Sequence, residues 1–202
     1  MRSGGERVRI TAARREQVRA ALAEAGLGLF AARGVAATSI EQIAAAAGVA
    51  KGTFYNYFAT KEDLALAALV PVLQRAGEAL AAAPAATLAS RLGLVFAEFE
   101  RFTGDNPQLI WIWCLEGLRR GEAEPGWALL RGLLAGLCAQ AQAGGALRAD
   151  RDPQELALGL QGVVLAGVGR WYHAGAGSDL RAELGRATGL FLEGAQVGGG
   201  RP

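Results

Sequence analysis

Lysine is almost missing from this 202-residue chain: Lys51 and Lys61 are the only two, and histidine occurs once, as His173. A histidine-based catalytic dyad has one possible base, next to Tyr172 at an expected helix end, and neither Cys114 nor Cys138 is placed by sequence to meet it. The two cysteines lie far apart and outside any CxxC pair, which excludes a disulfide framework or a cysteine zinc site and suits small buried residues in a reducing compartment. Strand-like alternation is absent. The glycines at 167 and 169 and at 175 and 177 therefore have no strand before them and no third glycine or Gly-Lys-Ser/Thr after them, so they are not phosphate loops. Carboxylates are scattered without a paired arrangement for acid–base work. The most apolar stretch, Leu156 to Gly169, contains Gln161 and lies between Glu155 and Arg170, short of the roughly 18 residues a membrane span requires. The arginine-rich N-terminus lacks the apolar run of a secretory signal. These absences point to a cytoplasmic protein that is not an enzyme, holds no metal or cofactor, and does not enter a membrane.

What is present is a globular composition, 51% apolar and 20% charged, with a net charge of only +2. The distribution of charge carries more than its sum. Residues 1–63 hold nine basic against six acidic side chains, and the remainder holds twelve against thirteen. The basic excess is thus N-terminal, in the same region as the most informative segment, IEQIAAAAGVAKGTFYNYFA from Ile40 to Ala59. Ile40, Ile43, Ala44 and Ala47 recur at helical spacing, Gly48 interrupts, and Val49, Phe54 and Phe58 supply a second stripe. Thr38 and Glu41 have capping-box spacing, which predicts a helix start near Ser39. Gly48 ends that helix, and the small Ala44 lets a second helix, expected over Lys51–Phe58, cross it. This is a helix-turn-helix arrangement. On the second helix Phe54 and Phe58 point inward, Gly52 and Asn56 point outward, and Thr53, Tyr55 and Tyr57 flank the exposed side.

The run from Thr38 to Lys61, with G-V-x-K-G-T-F-Y-N-Y-F-x-x-K at its centre and Glu62, Asp63 and Leu64 after it, resembles the DNA-binding domain of the tetracycline-repressor (TetR) family over about residues 10–66. For the rest of the chain the resemblance is one of helical layout and length. It implies an all-α fold: a mobile basic arm (1–9), a three-helix DNA-binding domain (10–66), an effector-binding and dimerisation domain (67–194) and a flexible tail (195–202). It implies double-stranded operator DNA as partner, with Thr38, Ser39, Lys51, Gly52, Thr53, Tyr55, Asn56, Tyr57 and Lys61 as the contacting residues. The two lysines bracket the second helix, where phosphates pass if its N-terminal end enters a major groove.

Beyond that domain the periodicity predicts further helices. A long first helix, Thr11–Arg33, presents Val18, Leu22, Ala25 and Leu29. Thr60 and Asp63 cap another, in which Pro71 forces a kink or restart near Val70. A stripe of Leu92, Phe96, Phe99 and Phe102 precedes the Gly104–Pro107 turn. The next helix, Gln108–Arg120, is expected to bury Trp111, Leu115 and Leu118 and to turn Trp113 away. The family's regulatory domain implies an effector pocket, assigned to Phe96, Phe99, Phe102, Trp111, Leu115, Trp127 and Trp171, with a small apolar molecule as ligand. In the last two helices Gly159, Gly162, Ala166 and Gly169 form a small-residue ridge and Leu180, Leu184 and Phe191 a facing stripe. These read as the halves of a homodimeric four-helix bundle. The function expected is a repressor released from a palindromic operator by that molecule. The alternatives are a ligand-independent DNA-organising protein and a helical enzyme on the same fold.

Overall fold

The computed structural model describes residues 12–84, 86–104 and 107–195; the expected arm (1–9) and all of the expected tail except Ala195 lie outside the described residues. Ten α-helices occupy most of that length and no strand occurs among the described residues. The chain divides into two compact units, residues 1–65 and 66–202.

In the N-terminal unit α1 (Ala12–Arg33) buries Leu22, Gly26 and Phe30. Val18, Ala25 and Leu29 flank this line at half-burial, so the buried stripe is rotated from the expected one. Gly26 sets that phase: a methyl group there would lie 2.7 Å from a Leu64 methyl carbon, and only glycine lets Leu64 seat against the helix. The first helix of the pair, α2 (Ile40–Ala46), starts one residue later than a Thr38 cap would place it. Its N-cap is Ser39, whose hydroxyl accepts from the Gln42 amide (3.2 Å) while Gln42 Oε1 accepts from the Ser39 amide (3.0 Å). Gly48, at φ +68°, then reverses the chain, and the Val49 amide closes the turn on the Ala44 carbonyl (2.9 Å). The second helix is shorter than its apolar pattern suggests. Regular α3 spans Lys51–Phe54, and residues 55–57 continue as turn, with the Tyr57 and Phe58 amides both bonded to the Phe54 carbonyl. In α4 (Lys61–Ala67) Thr60 and Asp63 cap each other reciprocally, amide to side chain in both directions at 2.9 and 3.0 Å.

Pro71 interrupts the next stretch by a local mechanism. The carbonyl four residues before it belongs to Ala67, where α4 ends; after Ala68 a new helix, α5 (Leu69–Ala82), begins with the proline in its first turn, where no amide hydrogen is needed. The span Lys61–Ala82 is long and apolar enough by composition to cross a membrane. Its larger side chains Leu64, Leu66, Leu69, Val72, Leu73 and Leu80 are buried within the protein, which accounts for much of the apolar composition as core.

The C-terminal unit adds α6 (Leu88–Thr103), α7 (Gln108–Arg120), a 3-10 turn at Gly121–Ala123, α8 (Pro125–Ala143), α9 (Pro153–His173) and α10 (Leu180–Ala195). Most of these starts have a local reason. Thr87 caps α6, Glu124 caps α8, Asp152 caps α9, and Pro125 and Pro153 occupy first helical positions. Ala195, expected in the tail, is the buried last residue of α10 and accepts from the Arg148 amide (3.1 Å).

One phase differs from expectation in α7. Leu109, Ile110, Trp113, Cys114 and Gly117 are buried, whereas Leu115 and Leu118 are 44% and 60% exposed. Gly117 decides this: a β-carbon there would stand 2.2 Å from the Trp127 ring, so the Trp127 indole lies flat over the glycine and draws that side of α7 inward. The Trp113 indole N–H then meets the buried Glu124 carboxylate (3.2 Å), which satisfies the one polar atom that opposed its burial. Cys114 and Cys138 are fully buried, and burial pushes both thiols up, Cys138 to about 11.

Candidate nucleic-acid interface and regulatory surfaces

Phe54 and Phe58 anchor the α2–turn–α3 segment. Both are buried, their rings 5.7 Å apart, and the Arg19 guanidinium lies 5.2 Å from the centre of the Phe58 ring. What they hold outward is polar and aromatic: Lys51, Gly52, Tyr55 (50% exposed) and Asn56 are exposed, with Thr53 and Tyr57 half-buried beside them. Gly52 has no positive φ, and a β-carbon there would meet nothing within 4 Å. The domain has no internal need for glycine at that position. Ser39 is exposed at the same surface. It lines a cleft of about 370 Å³ with Glu41, Tyr55, Thr60 and Lys61.

Three of the expected DNA-contacting residues have prior engagements. Lys51 is ion-paired with Glu41, an exposed pair in which each partner favours the other's charged form, lowering the carboxyl pKa and raising that of the ammonium. Lys61 does not project from the surface as expected. Its ammonium donates to the carbonyls of Val35 (2.6 Å), Thr38 (2.9 Å) and Ala36 (3.2 Å), closing the α1–α2 turn. Thr38 is buried, and its hydroxyl donates to the Gly34 carbonyl (2.8 Å) instead of facing outward. The lysine's role has no local signal: it meets carbonyls 23 to 26 residues away, and no motif spacing reports that.

In the C-terminal unit the seven expected effector residues do not form one pocket. Phe96, Phe99, Trp127 and Trp171 are buried core and Phe102 is partly buried against it. Phe99, Trp113 and Trp127 pack in series, with ring centres 5.9 and 5.0 Å apart. Trp111 lies apart from them, stacked on Tyr172 at 5.4 Å with His173 against its edge at 5.1 Å. Trp171 fixes the α9–α10 turn through its indole N–H to the Ser178 carbonyl (2.7 Å). Leu115 faces outward and is not available to an internal pocket. Phe96 does reach an opening, a groove of about 350 Å³ between α6 and α10 floored by Phe96 and Leu192 and rimmed by Gly93, Gly185 and Gly189, with Arg181 at its side. Glu116, the one carboxylate beside Trp113 on α7, is held by Arg119 and Arg120.

The small-residue ridge of α9 is divided between two uses. Gly159 and Gly169 accommodate rings of the same chain: β-carbons there would lie 2.8 Å from Phe191 and 3.2 Å from Trp111. Leu180 and Leu184 are fully buried within the chain, which corrects their assignment to an intermolecular face. Gly162 and Ala166 remain exposed and continue into Leu158 (57% exposed), Val163, Ala187 and Leu190 (75% exposed), around a hollow of about 480 Å³ bordered by Arg170 and Arg186. This is an apolar two-helix face open to solvent.

A capped helix, a left-handed glycine turn and a short second helix held down by two phenylalanines make the N-terminal unit a helix-turn-helix domain of the DNA-binding class. Residues 22–68 match the profile of bacterial regulatory proteins of the tetR family. Over 55 residues the chain is 49% identical to a helix-turn-helix transcriptional repressor of Mycobacterium tuberculosis and to a transcriptional regulator of Mycobacterium bovis, a match covering 27% of this chain. The chain spans 29% of the length of these curated relatives. Over nearly its whole length it is similar to Thermus thermophilus FadR, a TetR-family transcriptional repressor solved with lauroyl-CoA, at 26% identity and a TM-score of 0.71, covering 91% of this chain and 98% of that one. Bacillus subtilis FadR, solved with stearoyl-CoA, shares the fold at 20% identity and a TM-score of 0.68, covering 88% and 99%. Residues 22–68 are thus similar to the DNA-binding domain of tetR-family regulators, and the chain as a whole shares the fold of TetR-family neighbours. These relatives and neighbours are transcriptional regulators, not enzymes.

Proposed function

We propose that this protein is a transcriptional repressor that binds a palindromic operator as a homodimer and leaves it when a small, largely apolar effector enters the C-terminal unit. The observation that carries this reading is the outward set Lys51, Gly52, Thr53, Tyr55, Asn56 and Tyr57, held by buried Phe54 and Phe58 on a segment with no internal use for an exposed glycine. Direct readout uses such side chains: Thr and Asn meet base edges, tyrosines and a backbone bared by glycine meet sugar and phosphate. The open apolar face of α9 and α10 supports the dimer, because a contiguous exposed patch of this kind marks an interface. Two copies then place two recognition segments on successive major grooves, roughly 34 to 36 Å apart.

For the effector, the supporting feature is the α6–α10 groove, whose floor is Phe96 and whose glycine rims leave room for a chain to lie along it. The lauroyl-CoA held by the Thermus thermophilus neighbour favours an acyl chain as the apolar part. A ligand that binds the released conformation better by about 1–3 kcal/mol loosens the operator some 5- to 150-fold. The test is selection of DNA from a random pool by the purified protein, then titration of the recovered site with lauroyl-CoA, lauric acid and free coenzyme A. A palindromic site weakened by the acylated compounds and unaffected by coenzyme A is expected. Recovery of DNA without sequence preference, untouched by any ligand, refutes the reading in favour of a DNA-organising role.

A further inference from the structure

Arginines of the C-terminal unit characteristically have a carboxylate. Arg75 and Arg101 share Glu98, Arg119 and Arg120 share Glu116, Arg170 and Arg186 share Glu183, and Arg131 has Glu122. Arg91 is more buried than any of these, only 8% exposed, and has none among the described residues. Its Nη1 donates to the neutral side-chain oxygen of Gln140, and its Nε, shut off from solvent, has no partner. A buried cation with a neutral partner and an idle donor is a costly arrangement, and a fold with no use for the charge has no reason to keep it.

The surroundings supply a use. Arg91 forms part of the wall of a cavity of about 400 Å³ between the start of α6 and the end of α8, together with Thr87, Leu88, Leu137, Ala141 and Ala146. The first amides of α6 have no partner inside the helix; Thr87 takes that of Ser90 (3.2 Å), and the N-terminal end of this 16-residue helix adds its positive potential on the Thr87 and Leu88 side of the cavity. At the opposing helix end the closing turn at Gly145 already uses the Gln140 and Ala141 carbonyls as acceptors for the Gly144, Ala146 and Leu147 amides. The Arg91 side of the cavity thus carries a positive charge with no carboxylate beside it, and Leu88, Leu137, Ala141 and Ala146 give it an aliphatic side.

The geometry points to a binding site for an amphipathic anion, a carboxylate set against Arg91 and the α6 N-terminus with a short apolar stem along Leu88, Leu137 and Ala146. A carboxylate offers the guanidinium the charged partner it lacks, and the stem covers a wall that a bare inorganic anion would leave wet. The site is separate from the α6–α10 groove and does not rest on the effector reading above.

The test is calorimetric titration of the purified full chain at constant ionic strength with hexanoate, hexanol and inorganic phosphate. Hexanoate is expected to bind saturably, one per chain, with hexanol and phosphate each at least tenfold weaker. Arg91→Met should weaken hexanoate at least tenfold while its Tm stays at or above that of the parent, since the charge lost was uncompensated. Ala146→Trp, which fills the cavity from an exposed position without touching the arginine, should block hexanoate equally and decides the matter if Arg91→Met does not fold. Hexanol binding as tightly as hexanoate, phosphate binding more tightly than hexanoate, or hexanoate binding unchanged by Ala146→Trp would each overturn the proposal.

Discussion

Replacing Lys61 by methionine removes the ammonium but keeps the stem, and the cost falls on a known set of acceptors. Three carbonyls, those of Val35, Ala36 and Thr38, lose their donor at once. Charge-assisted hydrogen bonds contribute about 1.5–3 kcal/mol each where they are sheltered. The bond to Ala36 is exposed and readily replaced by water, and those to Val35 and Thr38 are only partly buried and so count below their sheltered value, which leaves a loss of about 2–4 kcal/mol on the α1–α2 turn. At the lower end that is roughly a 30-fold rise in the open population, at the upper end closer to 1000-fold. The unit has no tryptophan, since Trp111, Trp113, Trp127 and Trp171 all belong to the other unit, so fluorescence is the wrong probe. Amide hydrogen exchange measured on peptides covering residues 29–46 reads it directly, because the Thr38 and Ile43 amides are bonded across the segment that the lysine closes. Protection should drop by one to three decades in Lys61→Met with peptides from α8 and α9 unchanged. If protection holds while operator affinity loses about one unit of salt slope, Lys61 is a phosphate contact and the reasoning from its carbonyl partners is wrong.

Three further outcomes are expected. Thr53→Ala and Tyr57→Ala should each abolish operator binding without altering the far-ultraviolet dichroism; binding within threefold of the parent by titration at fixed salt would remove that residue from the interface. Gly162→Glu, where a side chain meets nothing within its own subunit, should give monomers in sedimentation at micromolar concentration, and a variant that stays dimeric would show that the α9 face is not the interface. Gly117→Ala should lower stability in urea by about 1–3 kcal/mol, as a methyl group forces the Trp127 ring off α7, and an unchanged unfolding midpoint would show that the ring has somewhere else to go.

The helix-turn-helix was legible because its determinants are close in sequence: Gly48 ends one helix, Phe54 and Phe58 hold the next, and nothing distant is needed to phase them. The α7 stripe was not legible. Residues 109 to 115 read Leu-Ile-Trp-Ile-Trp-Cys-Leu, apolar on every side, so periodicity admits either face. The choice falls to Gly117 under the Trp127 ring and to Glu124 at the indole nitrogen, contacts that become visible only when α8 is in place. The same distance hid the division of the α9 ridge, where Phe191 and Trp111 occupy spaces that the sequence offers equally to a second subunit. Arg91 reads as one more charge in a helix with Arg101, and nothing local marks it as buried.

The ion pair between Glu41 and Lys51 gives the reading segment its own resident counterion. A phosphate that takes the ammonium has to evict a carboxylate, and the evicted Glu41 is then left facing a polyanion unless another group or a solvent cation receives it. Contact at this lysine is therefore an exchange of one anion for another rather than a simple gain, and random stretches of duplex, which offer phosphate and nothing more, gain little from it. Where base contacts from Thr53, Asn56 and the tyrosines fall into register at the same time, the exchange is carried by the rest of the interface. In the proposed repressor, a domain arranged this way is expected to release a wrong sequence quickly.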